Sequence, residues 1–317
     1  MKNLILSLLF SSLLLAVDTI TPTSTIEING TVKDMVLYKD RLVVATDNGH
    51  IEVFDSSSYK KIKDIKLSNV KDFMGDEIPA RILSSDVIGN KYLLLSDSGK
   101  NGYTNLFIYQ KDKLTQIVSP KDKETVIKAR FIDKENILLG YLSNEVALLN
   151  LKSKKEIYRV QLSESKFSDF ALNEDKSQVV FACESGVLNL VDIKSGRVIQ
   201  ELKGENVDNV YKVDFKKGIV SGAGQDRRGS IYDAKSGKGK YISGKFLIYA
   251  TALSPSATKV AFSMDEQNYI SIYDRLTKSK KYLLKGQKST LSVIIFQNEK
   301  KIFSSSDDST IMVWNLK

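Results

Sequence analysis

Hydrophobic and polar residues alternate along most of this chain, and one alternating phrase keeps returning. It runs apolar, any residue, apolar, aromatic or aliphatic, then polar, and it ends at Asp55, Gln110, Asn150, Asp192, Asp233, Asp274 and Asn315. The intervals are 55, 40, 42, 41, 41 and 41 residues. Alternation with a period of two marks a strand with one face buried, and no stretch after the first sixteen residues sustains the 3.6-residue period of a helix. A repeat near 41 residues built from short strands predicts a β-propeller with one blade per repeat. Each repeat divides into four apolar runs separated by Gly, Asn, Asp, Ser or Lys, as antiparallel strands with tight turns require. The first blade reads VKDMVLY, RLVVATD, HIEVFD, KIKDIKLS, and the fourth reads FSDFALN, QVVFACE, VLNLVDI, RVIQELK. The expected fold is all-β, a propeller of seven blades.

Both chain ends bear on closure. Two residues follow Asn315, so the seventh blade lacks an outer strand of its own. Ahead of the first blade stands an unassigned β-like stretch, Thr25 to Ile28. Paired with the third strand of blade seven, it would shut the ring and remove its loose edges. The propeller domain then spans 25–317, with 17–24 expected as a flexible lead.

The opening MKNLILSLLFSSLLLA has one Lys, an apolar run from Leu4 to Leu15 and a small residue at Ala16. That pattern predicts a signal peptide over 1–16, cleaved near Ala16, since about twelve apolar residues fall short of the roughly 20 a span needs. An exported, periplasmic product with no transmembrane segment in the mature chain follows as the expectation. One cysteine, Cys183, excludes an internal disulfide. Net charge is +9, mostly scattered Lys, which is an ordinary solvated surface that also guards edge strands. No basic cluster or aromatic platform suggests nucleic acid.

The repeats resemble the WD-repeat family. KIFSSSDDSTIMVWNLK (301–317) matches best, with its Ser run, the Asp307-Asp308 turn and the Val313-Trp314-Asn315 ending. LKGENVDNVYKVDF (202–215) and LKGQKSTLSVIIF (284–296) resemble the family's repeat opening with Glu or Gln after Gly instead of His. The chain has one His, His50. The Asp–His–Ser–Trp hydrogen-bond network of the family is therefore expected to be missing, leaving apolar packing and turns to hold the blades. The leader, the seven blades and the absence of a haem motif together resemble the L-type accessory proteins (NapL family) of periplasmic nitrate reductase. That resemblance implies a non-enzymatic accessory role in maturation or activity, with the reductase or its assembly factors as protein partner. VDIKSGRVIQEL and IYDAKSGKGKY also resemble quinoprotein-like envelope scaffolds of outer-membrane assembly, a second reading. A Ca²⁺-dependent propeller hydrolase or lactonase, with turn carboxylates holding the ion, is a third.

Catalytic and cofactor chemistry finds few donors. Covalent haem, iron–sulfur clusters and Cys/His zinc sites need more thiolates or imidazoles than one of each, so no cofactor, no metal and no catalytic residue are expected. His50 reads as a partly exposed residue at a strand start. Cys183 reads as a small buried hydrophobe, and Trp314 as inter-blade packing. SGKNG (98–102) and GAGQDRRG (222–229) lack the spacing and the following helix of phosphate-binding loops. Glu27-Ile28-Asn29-Gly30-Thr31 carries a glycosylation sequon at Asn29, though Asn-Gly is also an ordinary turn.

One irregularity points to recognition. The excess of the 55-residue interval falls in NVKDFMGDEIP (69–79), entering blade two, and SDSGKNGYTN (96–105), between that blade's second and third strands. In a propeller both connections emerge on one face, and loops grafted on a rigid platform are where recognition is built. Phe73, Met74 and Tyr103 are candidate anchors, with Asp76, Glu77 and Lys100 beside them. Arg227 and Arg228, across the same face, suit a carboxylate-bearing partner. A monomeric protein-interaction scaffold is the expected function.

Overall fold

A computed structural model describes residues 17–317, and the expected leader, 1–16, lies outside the described residues. Seven sheets form the ring of a β-propeller, as the repeat predicts. Blade one shows the plan. Val32–Tyr38 is innermost, followed outward by Arg41–Thr46, His50–Asp55 and Lys61–Lys66, all antiparallel. Burial follows that order. Middle strands such as Arg41–Thr46 and Gln178–Cys183 are almost wholly buried, whereas outer strands such as Lys155–Gln161 are largely exposed and Lys-bearing. Lys on an exposed edge discourages pairing with another chain.

Among the described residues seven apolar clusters hold the blades, and each draws its residues from two neighbours. Val43, Val53 and Ile65 of blade one meet Ile82, Val87 and Leu94 of blade two, and Ile272 of blade six meets Leu291, Ile302 and Trp314 of blade seven. Each fully buried Leu, Ile or Phe contributes about 1.5–3 kcal/mol, so the seams carry the stability without disulfides. Blade six departs from the expected pattern. Its inner strand is only Thr251–Leu253, because Ser263 Oγ accepts the backbone N–H groups of Tyr249 and Ala250 at 3.1 Å and withdraws them from the ladder.

Closure occurs as expected. Ser24–Glu27 pairs antiparallel with Thr310–Asn315, setting Ile26 opposite Ile311, and completes blade seven. The lead does more than expected. Asp18–Ile20 runs parallel to Lys280–Leu284 and adds a fifth strand to blade six, with Ile20 buried in the seam between blades six and seven. Its three residues are too short to signal a strand by alternation, and only the pocket for Ile20 makes one.

The recurring Asp/Asn has a local cause. It ends the third strand and caps the turn to the outer strand. Asp55 Oδ1 accepts Ser57 N, Ser58 N and Ser58 Oγ; Asp192 Oδ1 accepts Ser195 N and Oγ; Asp233 and Asp274 do the same for Ser236 and Thr277. These bonds hold the Asp55, Asp192, Asp233 and Asp274 carboxyls below the usual range. Asx turns of this kind explain the Asp-x-x-Ser phrases that resembled quinoprotein-like chains.

No His enters the blades as the family's network would require, but the expectation that apolar packing and turns alone hold them is wrong for blade seven. Gln287 Nε2 donates to Ser304 Oγ at 2.6 Å, Trp314 Nε1 donates to the same oxygen at 2.8 Å, and Ser306 Oγ lies 2.8 Å from Gln287 Oε1 and 3.0 Å from Asp308 Oδ2. A carboxamide offers both a donor and an acceptor, as a neutral imidazole does, so Gln287 takes the His place.

Candidate functional site

The two insertions of blade two fold against each other. After the outer strand of blade one, Val70–Lys71 pairs with Glu77–Ile78 to make a short hairpin. Its turn is fixed from within. Asp72 Oδ1 accepts Met74 N at 2.9 Å and Asp76 N at 3.0 Å, Asp72 N donates to Asp76 O, and Gly75 takes φ +93°. The tip residues are left in solvent, Phe73 at 92% and Met74 at 74% exposure. At the base, Val70 packs onto the seam between blades one and two.

The 98–103 loop braces this finger. Ser98 donates through N and Oγ to Tyr103 O, and Tyr103 N donates to Lys100 O. Gly99, at φ +67°, lies so close to the hairpin that a Cβ there would stand 2.1 Å from Lys71 O. Beneath the loop, burial pushes the Asp97 carboxyl above its usual range although Arg81 sits 3.4 Å away, and its buried Oδ1 has no hydrogen-bond partner.

The structure therefore brings together Phe73, Met74, Asp76, Glu77 and Lys100, all exposed. Tyr103 is half-buried and serves the brace more than the surface. Arg227 and Arg228 do not join the finger. They belong to blade five, across the ring, and they do not act as a pair. Arg228 stacks on Tyr241 at 4.4 Å and donates to Glu205 O, leaving Arg227 exposed at the turn. Ile78, 36% exposed at the finger's base, escapes the sequence pattern because it reads as an ordinary strand residue before Pro79.

The lone-residue candidates separate. Trp314 is buried between blades six and seven. Cys183 is buried, with its Sγ 3.1 Å from Ser185 Oγ. Asn29 is in a bend before Gly30, and its Nδ2 faces His50 Nε2 at 3.1 Å. His50 differs from expectation. It is buried, with Nδ1 2.8 Å from Asp64 Oδ1, because the pairing of the third and outer strands folds Asp64 over it.

A cavity of about 530 Å³ occupies the central channel. Its charges balance, with Lys128, Arg130, Lys176, Lys212 and Lys216 against Asp34, Asp86, Asp169, Glu174 and Asp214. Four of these carboxylates stitch neighbouring blades. Asp34 accepts Ser85 N, Asp86 accepts Phe131 N, Asp169 accepts Val213 N and Asp214 accepts Leu253 N, each across one seam. Their other oxygens are also used: Asp169 binds Lys128 and Asp34 binds Arg130, while Asp86 and Asp214 accept Val87 N and Phe215 N. Burial works to raise Asp34, but Arg130 and Lys128 outweigh it and hold the carboxyl below its usual range. At Asp86 burial prevails over Arg130 and Lys176, and its carboxyl lies above the usual range. Burial also pulls Lys128 down despite Asp169. These four carboxylates are thus engaged by the protein's own donors, unlike the open set of oxygen ligands that Ca²⁺ takes.

Among the described residues no helix is long and apolar enough to cross a membrane. With the fold and these sites in view, comparison with known proteins adds no assignment: no family model and no curated protein matches the chain.

Proposed function

We propose that this protein is a non-enzymatic interaction scaffold that grips a protein partner with the Phe73–Met74 finger. One observation carries the reading: a hairpin braced by Asp72 and Gly99 presents Phe and Met almost fully to water. Large apolar groups held rigidly in solvent gain nothing for the fold, and burying each in a partner is worth about 1.5–3 kcal/mol. Because the finger is already ordered, little conformational entropy is lost on docking. The spent carboxylates of the channel favour this over the Ca²⁺-dependent hydrolase reading.

The resemblance to L-type accessory proteins extends the proposal to the periplasm and to the nitrate reductase system as source of the partner. A photo-crosslinking amino acid at position 73, activated in intact cells, tests both levels. A protein adduct that disappears in a Met74→Ser background supports the scaffold, and reductase or assembly-factor peptides in it support the finer assignment. Adducts to an unrelated protein retire the nitrate reductase link alone. Absence of any adduct at position 73, with adducts from the opposite face, removes the finger from the mechanism.

A further inference from the structure

Blade one holds a cluster that neither the finger nor the channel uses. Alternation along His50–Asp55 places His50, Glu52 and Phe54 on one face, and Phe54 packs toward blade seven. On the outer strand Asp64 lies in register directly opposite Glu52. Like charges set opposite one another repel, and Glu52 is entirely buried, so this arrangement needs a cation. Lys61 supplies one, its ammonium bonded to Glu52 Oε1. It reaches there because a bulge shifts the register between Val53 and Phe54. Two carboxylates against one ammonium leave one negative charge, and His50 adjoins both. One ring nitrogen of His50 and one oxygen each from Glu52 and Asp64 lie within 4.8 Å of one another.

We infer that His50, Glu52 and Asp64 form a divalent transition-metal site, of the zinc class, for which the Lys61 ammonium is the exchangeable stand-in. One imidazole with two carboxylates suits Zn²⁺ better than Ca²⁺ or Mg²⁺, which prefer all-oxygen sets. Three protein ligands leave a coordination position for water. The Lys61 side chain is 41% exposed, so its ammonium can swing into solvent when the metal enters.

Location gives the site a consequence. Glu52 Oε2 accepts Asn29 N at 3.1 Å, and Asn29 belongs to the segment joining the closing strand to blade one. A metal here would fasten the seam where the chain's two ends meet, and by binding only the folded ring it would raise the melting temperature.

Competition with a chromophoric zinc chelator, together with thermal melts, tests this on the purified protein. Wild type should take up one Zn²⁺ and melt higher with it. Lys61→Met should bind at least tenfold tighter and melt lower without Zn²⁺, since Glu52 then lacks its partner, and Zn²⁺ should restore the loss. His50→Gln and Glu52→Gln should each weaken uptake at least tenfold, with millimolar Mg²⁺ failing to compete. Unchanged affinity in both of these variants would show the zinc to be adventitious and overturn the site. So would a Lys61→Met melt insensitive to Zn²⁺.

Discussion

Replacing Gln287 by Leu isolates the network that stands in for a histidine. Leu is apolar and only slightly bulkier, so the loss of hydrogen bonding is the main change beside the buried Trp314. Two contacts vanish, Gln287 Nε2 to Ser304 Oγ at 2.6 Å and Ser306 Oγ to Gln287 Oε1 at 2.8 Å. Neither serine is orphaned. Ser304 still receives Trp314 Nε1, and Ser306 can turn its proton to Asp308 Oδ2 at 3.0 Å. The full penalty for a stranded buried group is therefore avoided, and the cost is two net neutral hydrogen bonds, about 2 kcal/mol in all. For a chain of this size that lowers Tm by about 4 °C.

Urea unfolding followed by fluorescence measures the loss at its source, because Trp314 is the only tryptophan in the chain. Gln287→His is the control. A neutral imidazole supplies one donor and one acceptor, so this variant should stay within about 1 kcal/mol of wild type. Equal stability of the Leu and His variants, whether both intact or both impaired, would refute the assignment of Gln287 as a hydrogen-bonding surrogate.

Two further predictions concern the surface. Glu299 joins blade seven to blade six through Lys259 Nζ at 2.7 Å and Ser256 N at 2.7 Å. Burial raises its carboxyl, but these partners prevail and bring it from an ordinary 4.5 to about 2. A depressed carboxylate stabilises the fold above its unfolded pKa, and that contribution fades as pH falls from about 4.5 through 2. With its side chain 40% exposed, Glu299→Gln should cost about 1 kcal/mol at pH 7 and only a small fraction of that at pH 2, and an equal deficit in urea titrations at both values would contradict this. Gly99→Ala places a methyl group 2.1 Å from Lys71 O at φ +67°, so the brace must detach from the finger. Amide hydrogen exchange should accelerate at least tenfold over 70–78 and 96–105 while the blade strands keep wild-type protection; unchanged rates in the finger would show that the loop does not support it.

What could be read in the chain divides by the range of the interactions that determine it. Strand alternation and the terminal Asp or Asn are local, the latter because Asp55 and Asp192 cap turns within three residues of themselves, so architecture and blade number were legible. Closure was legible too, since Ser24–Glu27 had alternation to spare and Thr310–Asn315 had an unpaired edge. The finger was found as an excess of length, which needs only the period as a ruler, although the bracing by Gly99 rests on a contact between two loops. Features set by a particular side-chain contact across strands or seams were not legible. Asp18–Ile20 becomes a strand only where a pocket receives Ile20. Arg228 is drawn away from Arg227 by Tyr241, on the neighbouring strand of the same sheet. Gln287 reads as a lost histidine by residue identity, whereas the network asks for one donor and one acceptor in the right place. His50, Glu52 and Asp64 illustrate the same point. The alternation His-x-Glu on one strand was visible, but the third donor arrives only through register. Lys61 reaches Glu52 only through a bulge that no pattern announces. In a fold built from repeated blades, the proposed finger and the proposed metal site both sit where register, insertion length or side-chain chemistry departs from the repeat, and blade one with its outgoing connection concentrates all three.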